Sequence, residues 1–570
     1  MSGSREVVTL QLGPYAGSVG AHWWGIQEAS LCEGDSDDAI RHDVLFRPGR
    51  NPQGRATYTP RLILMDLKGS LGSLKQEGSL YEETNANRPT AWRGNLSTHQ
   101  EDPSPANPFL QGLSRPESSH GDLASRTLPG GKDRHPRLER PNEAPKASGL
   151  ESAAHAWSDF LWTPLHPRSV ITIHQYNHEG DSSRLEAFGQ GEKLLRDASY
   201  LDELEDRLHF YVEECDYLQG FQVLCDLQNG FSGVGAKVTE LLQDEYAGKG
   251  ILTWGLTPVL QSTIPQRNFY RLMNTVLGIV TLSSHSSLFC PMSLNGSLGL
   301  RPEPPVALPY LHYEASLDYH TSAILATALD TLSVPYRLQA STLSMVHLAE
   351  ALTFSGRKVA AAVAAVPFPV SHEQLLPDAL SGHQSSLPGT SLSSCGEPKG
   401  AHCFAQSVVL RGISKERQVS RIPSGAEPKS VLHMCETGQE VLARYVHTVC
   451  PTTFSTSHLL QGPCRIRPPY PQYFSPLLNK DGFLLEKPPQ TLAAVESVPV
   501  FTALQASAIL RRTLGRFYED LRQVDVRRWA SFFSVGVEMD DFLEALEGLR
   551  TLSHCYRESG SSDHSEDEID

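Results

Sequence analysis

An α/β fold is expected: a parallel-sheet, Rossmann-like domain of the nucleotide-binding type, then a second α+β domain and closing helices. Three stretches carry that expectation. Glu6–Trp24 and Cys215–Tyr246 each read as an apolar strand, a glycine-bearing turn and a helix. Tyr58–Lys75 contains an apolar strand, Leu62–Met65, with the carboxylate Asp66 at its C-terminal end. Open α/β sheets place functional residues at the C-terminal ends of strands, and helix N-termini there receive anions.

In chain order, Val7–Leu12 is a strand, followed by Gly13, Gly17, Gly20 and a short helix with Trp23 and Trp24. Asp66 follows the next strand, as a functional carboxylate or a helix-capping one. From about 85 to 155, Pro, Gly, Ser, Arg and Glu dominate and apolar periodicity disappears. That stretch is expected to be a disordered insertion, because it has too little apolar surface to offset ordering entropy. Trp157, Phe160 and Leu161 suggest a helix and Ser169–Ile173 a strand. In the helix Tyr200–Glu214, Leu204, Leu208, Tyr211 and Val212 share one face.

In the central unit, Phe221–Leu227 is a buried strand, Gln228–Gly235 a turn, and Ala236–Tyr246 a helix. The turn's candidate phosphate contacts are Gly230, Ser232, Gly233 and Gly235. Glycine serves tight turning equally well. Two sharper motifs are excluded. Ala236 stands where a P-loop needs its lysine, and Ser232 lacks the glycine spacing of a nucleophile elbow. Gly250–Thr257 is another strand, and Asn268 opens a helix as either a base contact or an exposed helix-start residue. Residues 339–504 alternate short strands with loops, including a Ser/Pro/Gly-rich stretch at Leu376–Gly400 that is expected to be mobile. Residues 505–558 have helical patterning, with Leu510, Leu514, Phe517 and Leu521 in one stripe. Residues 559–570 form an acidic tail whose Ser561, Ser562 and Ser565 are candidate phosphorylation sites. The boundaries are therefore 1–84 and 156–338 for the first domain, 85–155 for the insertion, 339–504 for the second domain, 505–558 for the helices and 559–570 for the tail.

A net charge of −16 over 570 residues, with no basic stripe, excludes general nucleic-acid binding. Ten cysteines without a CxxC pair read as reduced thiols of a cytosolic protein, and no metal ligand pattern is present. No signal peptide is expected, because Val7–Leu12 already reads as a strand, and the longest apolar runs are well short of the roughly 18–20 residues of a membrane span. Any membrane association is therefore expected to be peripheral.

Several of these motifs resemble tubulin. Gln11, Gly13, Gly20 and Trp24 match its first loop pattern, with Pro14 and Tyr15 in place of Gln and Cys. Asp66 is kept where that family has acids near phosphate and metal, whereas Lys68 replaces a Glu. The 229–235 loop resembles GGGTG[ST]G with two glycines lost. Ala315-Ser316-Leu317 and Val334-Pro335-Tyr336 bracket the stretch in which tubulin carries its hydrolytic acids. Here 322–328 is apolar, which implies that hydrolysis of GTP is lost. Residues 529–556 resemble its closing helices. The GPYAGSVGAHWW opening, the insertion and the degraded loops together resemble the Misato family, a divergent branch of the tubulin/FtsZ-like superfamily.

That resemblance implies a non-enzymatic, tubulin-like regulator of mitochondrial distribution, morphology and fusion. It would be cytoplasmic and peripheral on the mitochondrial outer membrane, where it would act with unidentified outer-membrane proteins. The alternatives are a GTP-binding protein with weak or no hydrolysis, and a factor for tubulin folding or microtubule assembly partnered by tubulin or the cytosolic chaperonin. If GTP is held, the resemblance implies contacts from Gly13, Gly17, Gly20, Asp66, Gly230, Ser232, Gly233, Gly235 and Asn268.

Overall fold

The computed structural model describes residues 5–33, 40–50, 56–71, 154, 156–178, 183–260, 264–301, 303–339, 343–396, 400–420, 427–489 and 493–558. The acidic tail, and the expected insertion apart from Ala154, lie outside them.

The first domain is built on strands β1 (Glu6–Leu12), β4 (Leu62–Leu67), β5 (Val170–Ile173), β6 (Leu218–Asp226), β7 (Gly250–Leu256) and β8 (Leu288–Met292), with the hairpin β2 (Phe46–Arg50) and β3 (Ala56–Pro60) alongside. The six strands form one sheet in the order β5-β4-β1-β6-β7-β8, every neighbour parallel. β1, β6 and β7 are buried along their whole length, as a sheet covered on both faces requires. The chain order reverses between β1 and β6, which is where such sheets open a crevice at their C-terminal edge.

Helix α1 (Pro14–Glu33) starts directly after β1, with Pro14 at its first position, where the missing N–H costs nothing. Next come α2 (Phe188–Leu194), α3 (Ala198–Glu213), α4 (Phe231–Glu245) and α5 (Pro265–His285). The central turn is shorter than its glycines suggest. α4 begins at Phe231, so Ser232, Gly233 and Gly235 are buried helical residues rather than loop residues. The expected helix at Trp157 is a single 3₁₀ turn, Trp157–Asp159.

Helix α6 (Asp318–Leu332) is packed between α1 on one side and the second domain on the other. From Thr321 to Thr331 its residues are at most 2 % exposed, polar ones included. Ser, Thr and Ala dominate it, and their small side chains allow the close approach of α1. The expectation for 322–328 needs correction here. These residues form the interior of a buried helix, not a surface loop able to reach another subunit. Their apolar character follows from that burial and says nothing about hydrolysis.

After α7 (Met345–Thr353), the second domain sheet runs β10-β9-β13-β11-β12, with β9 Ala361–Ala365, β10 Thr390–Ser391, β11 Cys403–Arg411, β12 Phe454–Leu460 and β13 Val500–Ser507. α8 (Gly438–Val449) covers β12. The stretch expected to be mobile holds a short helix, Leu376–Ser381, and β10. It buries Leu376, Leu380 and Leu392 completely. The closing helices α9 (Ile509–Arg522) and α10 (Met539–His554) pair with each other, and α10 lies on α5. The buried stripe of α9 is the expected one: Leu510, Leu514, Phe517 and Leu521.

Candidate functional site

A cavity of about 810 Å³ opens at the C-terminal edge of the first sheet. Its walls come from the last residue of β4 (Leu67), from the residues that follow β1 (Pro14, Tyr15), β6 (Gln228, Asn229) and β7 (Pro258–Leu260), and from the first turns of α5 and α6. This is the crevice at the reversal point of the strand order.

Asp226, the last residue of β6, forms the floor and is 1 % exposed. Its Oδ1 accepts the backbone N–H of Ala16 at 2.7 Å, and its Oδ2 that of Tyr15 at 3.2 Å. The amide of Asn229 also donates to Oδ2, at 3.3 Å. The carboxyl group therefore sits on the N-terminus of α1, which carries the helix's partial positive charge. Burial pushes its pKa up to about 8. The two backbone donors oppose that rise and neighbouring Asp66 adds to it.

The turn before α4 is equally occupied from within. Gly230 N–H donates to Leu185 O at 3.1 Å and Phe231 N–H to Asn229 Oδ1 at 3.0 Å. Ser232 N–H donates to Asn229 O at 3.1 Å and Gly233 N–H to Gly230 O at 3.0 Å. The Ser232 hydroxyl also turns back to Asn229 O, at 2.8 Å.

Of the residues expected at this site, Asn268 lines the cavity, in the first turn of α5. Gly13 borders it. Its φ is +108°, and a Cβ there would stand 2.7 Å from Asp226 Oδ2, so the turn is shaped around that carboxyl group. The other glycines serve packing instead. A Cβ on Gly17 would meet the Trp157 ring at 2.6 Å, and one on Gly20 the Gln11 side chain at 2.0 Å. A Cβ on Gly233 would lie 2.0 Å from Phe188 O, and one on Gly235 2.5 Å from Cys225 Sγ. On Gly230 it would meet Leu185 at 2.7 Å. Asp66 is fully buried beneath the site. Its oxygens accept Leu67 N–H at 2.7 Å and Trp157 Nε1–H at 2.8 Å, and burial lifts its pKa to about 7.

Sequence reasoning missed Asp226, although the argument that singled out Asp66, a carboxylate ending a buried strand, applies to it equally. It also missed Asp318, at the first turn of α6, and Arg271 of α5, which both line the cavity. The Arg271 guanidinium donates to Leu298 O and Gly299 O, both at 2.9 Å. Among the described residues, no three His, Cys, Asp or Glu side chains converge as metal ligands.

Two family models match the chain. The Misato Segment II tubulin-like domain covers residues 5–115, and a tubulin domain covers 146–338. The chain is 54 % identical over 563 residues to protein misato homolog 1 of Homo sapiens, covering 97 % of this chain and 98 % of that protein. It is 54 % identical to the Bos taurus protein of that name over 562 residues, with the same coverage of both chains. It is 30 % identical to protein misato of Drosophila melanogaster over 592 residues, which covers 98 % of this chain and all of the fly protein. A tubulin-like domain on a parallel six-stranded sheet, aligned end to end with these relatives, places the chain in the Misato family.

Proposed function

We propose that this chain is a non-catalytic, tubulin-like regulator of mitochondrial distribution, morphology and fusion that works through protein partners at the cytoplasmic face of the outer membrane. The cellular half of this reading rests on the family resemblance. The non-catalytic half rests on one observation: at the two strand-to-helix turns the backbone N–H groups of Tyr15, Ala16, Gly230, Phe231, Ser232 and Gly233 are committed to the protein's own oxygens. Phosphoryl transfer depends on positioning and charge stabilisation by such groups, and groups already paired supply neither. Among the described residues no helix is long and apolar enough to cross a membrane, so in this reading attachment runs through partners.

The cavity itself favours a second reading, in which GTP is held without efficient hydrolysis and Asn268 meets the base. Nucleotide analysis of the denatured full-length protein separates the two. Nucleotide-free protein, with restoration of the mitochondrial network when depleted cells regain the chain, is the expected result. Stoichiometric GTP or GDP overturns the first reading in favour of the second. Recovery of tubulin or chaperonin subunits, instead of outer-membrane proteins, redirects the partner assignment to tubulin folding.

A further inference from the structure

Asp226 does more than cap a helix. It comes from a strand about 210 residues away in sequence and meets two consecutive N–H groups, one from each carboxyl oxygen. Tyr15 and Asp226 both line the cavity, so the carboxyl group stands between the cavity and the buried Ala16 donor behind it. Gly13 is bent to a positive φ beside it, and Asn229 steadies one of its oxygens. Two amides at a helix N-terminus, beside a glycine in the left-handed region and next to a cavity, are the donor set that α/β domains offer to phosphate. Here the protein fills it with its own side chain, through hydrogen bonds.

We propose that Asp226 is the specificity-determining residue of this cavity: its carboxyl group is a built-in occupant of the oxyanion position and excludes phosphate-bearing ligands. The proposal rests on the reading that the chain does not hold nucleotide, and explains it by one side chain. Removing the carboxyl group frees the Tyr15 and Ala16 amides, and an oxyanion then fits where the side chain stood. The geometry assigns the gain to inorganic phosphate and to the phosphates of GTP, not to the nucleoside.

The test is thermal unfolding of the full-length wild type, Asp226→Ala and Asp226→Asn in chloride buffer. Matched samples contain phosphate, GTP or guanosine at about 10 mM and equal ionic strength. Wild type is expected to respond equally to chloride and phosphate. Asp226→Ala is expected to melt lower in chloride and to regain about 2 °C or more with phosphate or GTP, but not with guanosine. Asp226→Asn keeps an oxygen acceptor in place and is expected to gain less than half as much. If Asp226→Ala does not fold in chloride, refolding yield with and without phosphate is the readout, and rescue by phosphate supports the proposal. A folded Asp226→Ala no more responsive than wild type, or no rescue of an unfolded one, overturns the proposal and leaves the nucleotide-free reading standing. A wild type stabilised by GTP as strongly as the variant overturns both.

Discussion

Two buried carboxyl groups under the cavity set the behaviour of single residues. Asp66 and Asp226 have pKa values lifted to about 7 and about 8, chiefly by burial, from the ordinary carboxylate value of 3.8. A raised folded-state pKa means that the folded chain keeps a proton that the unfolded chain releases. The resulting stability is fully present below about pH 4 and is lost as pH climbs through 7 and 8. His22 shifts the other way. Burial among Phe160, Tyr319 and Tyr470 lowers its pKa to about 3, so its contribution changes below the ordinary histidine range. The interval from pH 7 to pH 9 therefore isolates the two acids from His22. Wild-type stability is expected to fall by about 1 kcal/mol more than that of Asp226→Asn across this interval. Denaturant titrations at both pH values check it, and parallel slopes for the two proteins refute the assignment.

At the level of elements, the close seat of α4 on α2 is the feature most exposed to substitution. Gly233 lies over Phe188 O, and Gly191 of α2 lies over Gly230 O, where a Cβ would come within 1.8 Å of the oxygen. Alanine for glycine inside a helix ordinarily stabilises by roughly 0.5–1 kcal/mol. Here the added methyl meets backbone, which cannot turn aside, so Gly233→Ala is expected to destabilise by about 2–3 kcal/mol. Gly25 of α1, which has open space where its Cβ would be, is the control, and Gly25→Ala is expected to stabilise. A stabilised Gly233→Ala would show that α2 and α4 separate freely. The same pair marks how far the sequence can be read. Strand, turn and helix were legible at 6–24 and 215–246 because apolar period and glycine placement are local signals. The job of those glycines was not legible. Close approach to a phosphate and close approach to another helix make the same demand, and the helix concerned lies some 40 residues earlier. For similar reasons Val334-Pro335-Tyr336 matched as a string, yet the segment before it is a buried helix. Apolar residues between two matching landmarks do not distinguish a degraded loop from a core.

On the scale of the whole molecule, one buried charge cluster ties the two sheets together. Asp330 near the end of α6 accepts Arg337 Nη2 at 2.9 Å, pairs with Nη1 of Arg411 from β11, and accepts Gln27 Nε2 of α1 at 2.6 Å. Arg337 also donates to Gln27 Oε1, and Arg411 to the carbonyls of Gly462 and Pro463. Burial alone would raise the Asp330 pKa, but the two guanidinium groups outweigh it and hold the carboxylate below its usual range. Its contribution is thus present above about pH 4 and lost only in stronger acid. Asp330→Asn keeps the shape but leaves two buried guanidinium groups without a counter-charge, so a loss of about 3–5 kcal/mol is expected. Replacing the whole cluster is a milder change, since apolar side chains of similar volume carry no desolvation penalty. Asp330→Leu with Arg337→Met and Arg411→Met is expected to recover more than half of that loss. Both variants are expected to unfold in one transition, because a single continuous core runs from β1 through α6 to β13 and α10. Equilibrium denaturation followed by tryptophan fluorescence and circular dichroism reads both points. Trp23, Trp24 and Trp157 are buried in the first domain, so a fluorescence midpoint detached from the circular dichroism midpoint in Asp330→Asn would show that the cluster, not the shared core, makes the two sheets one cooperative unit.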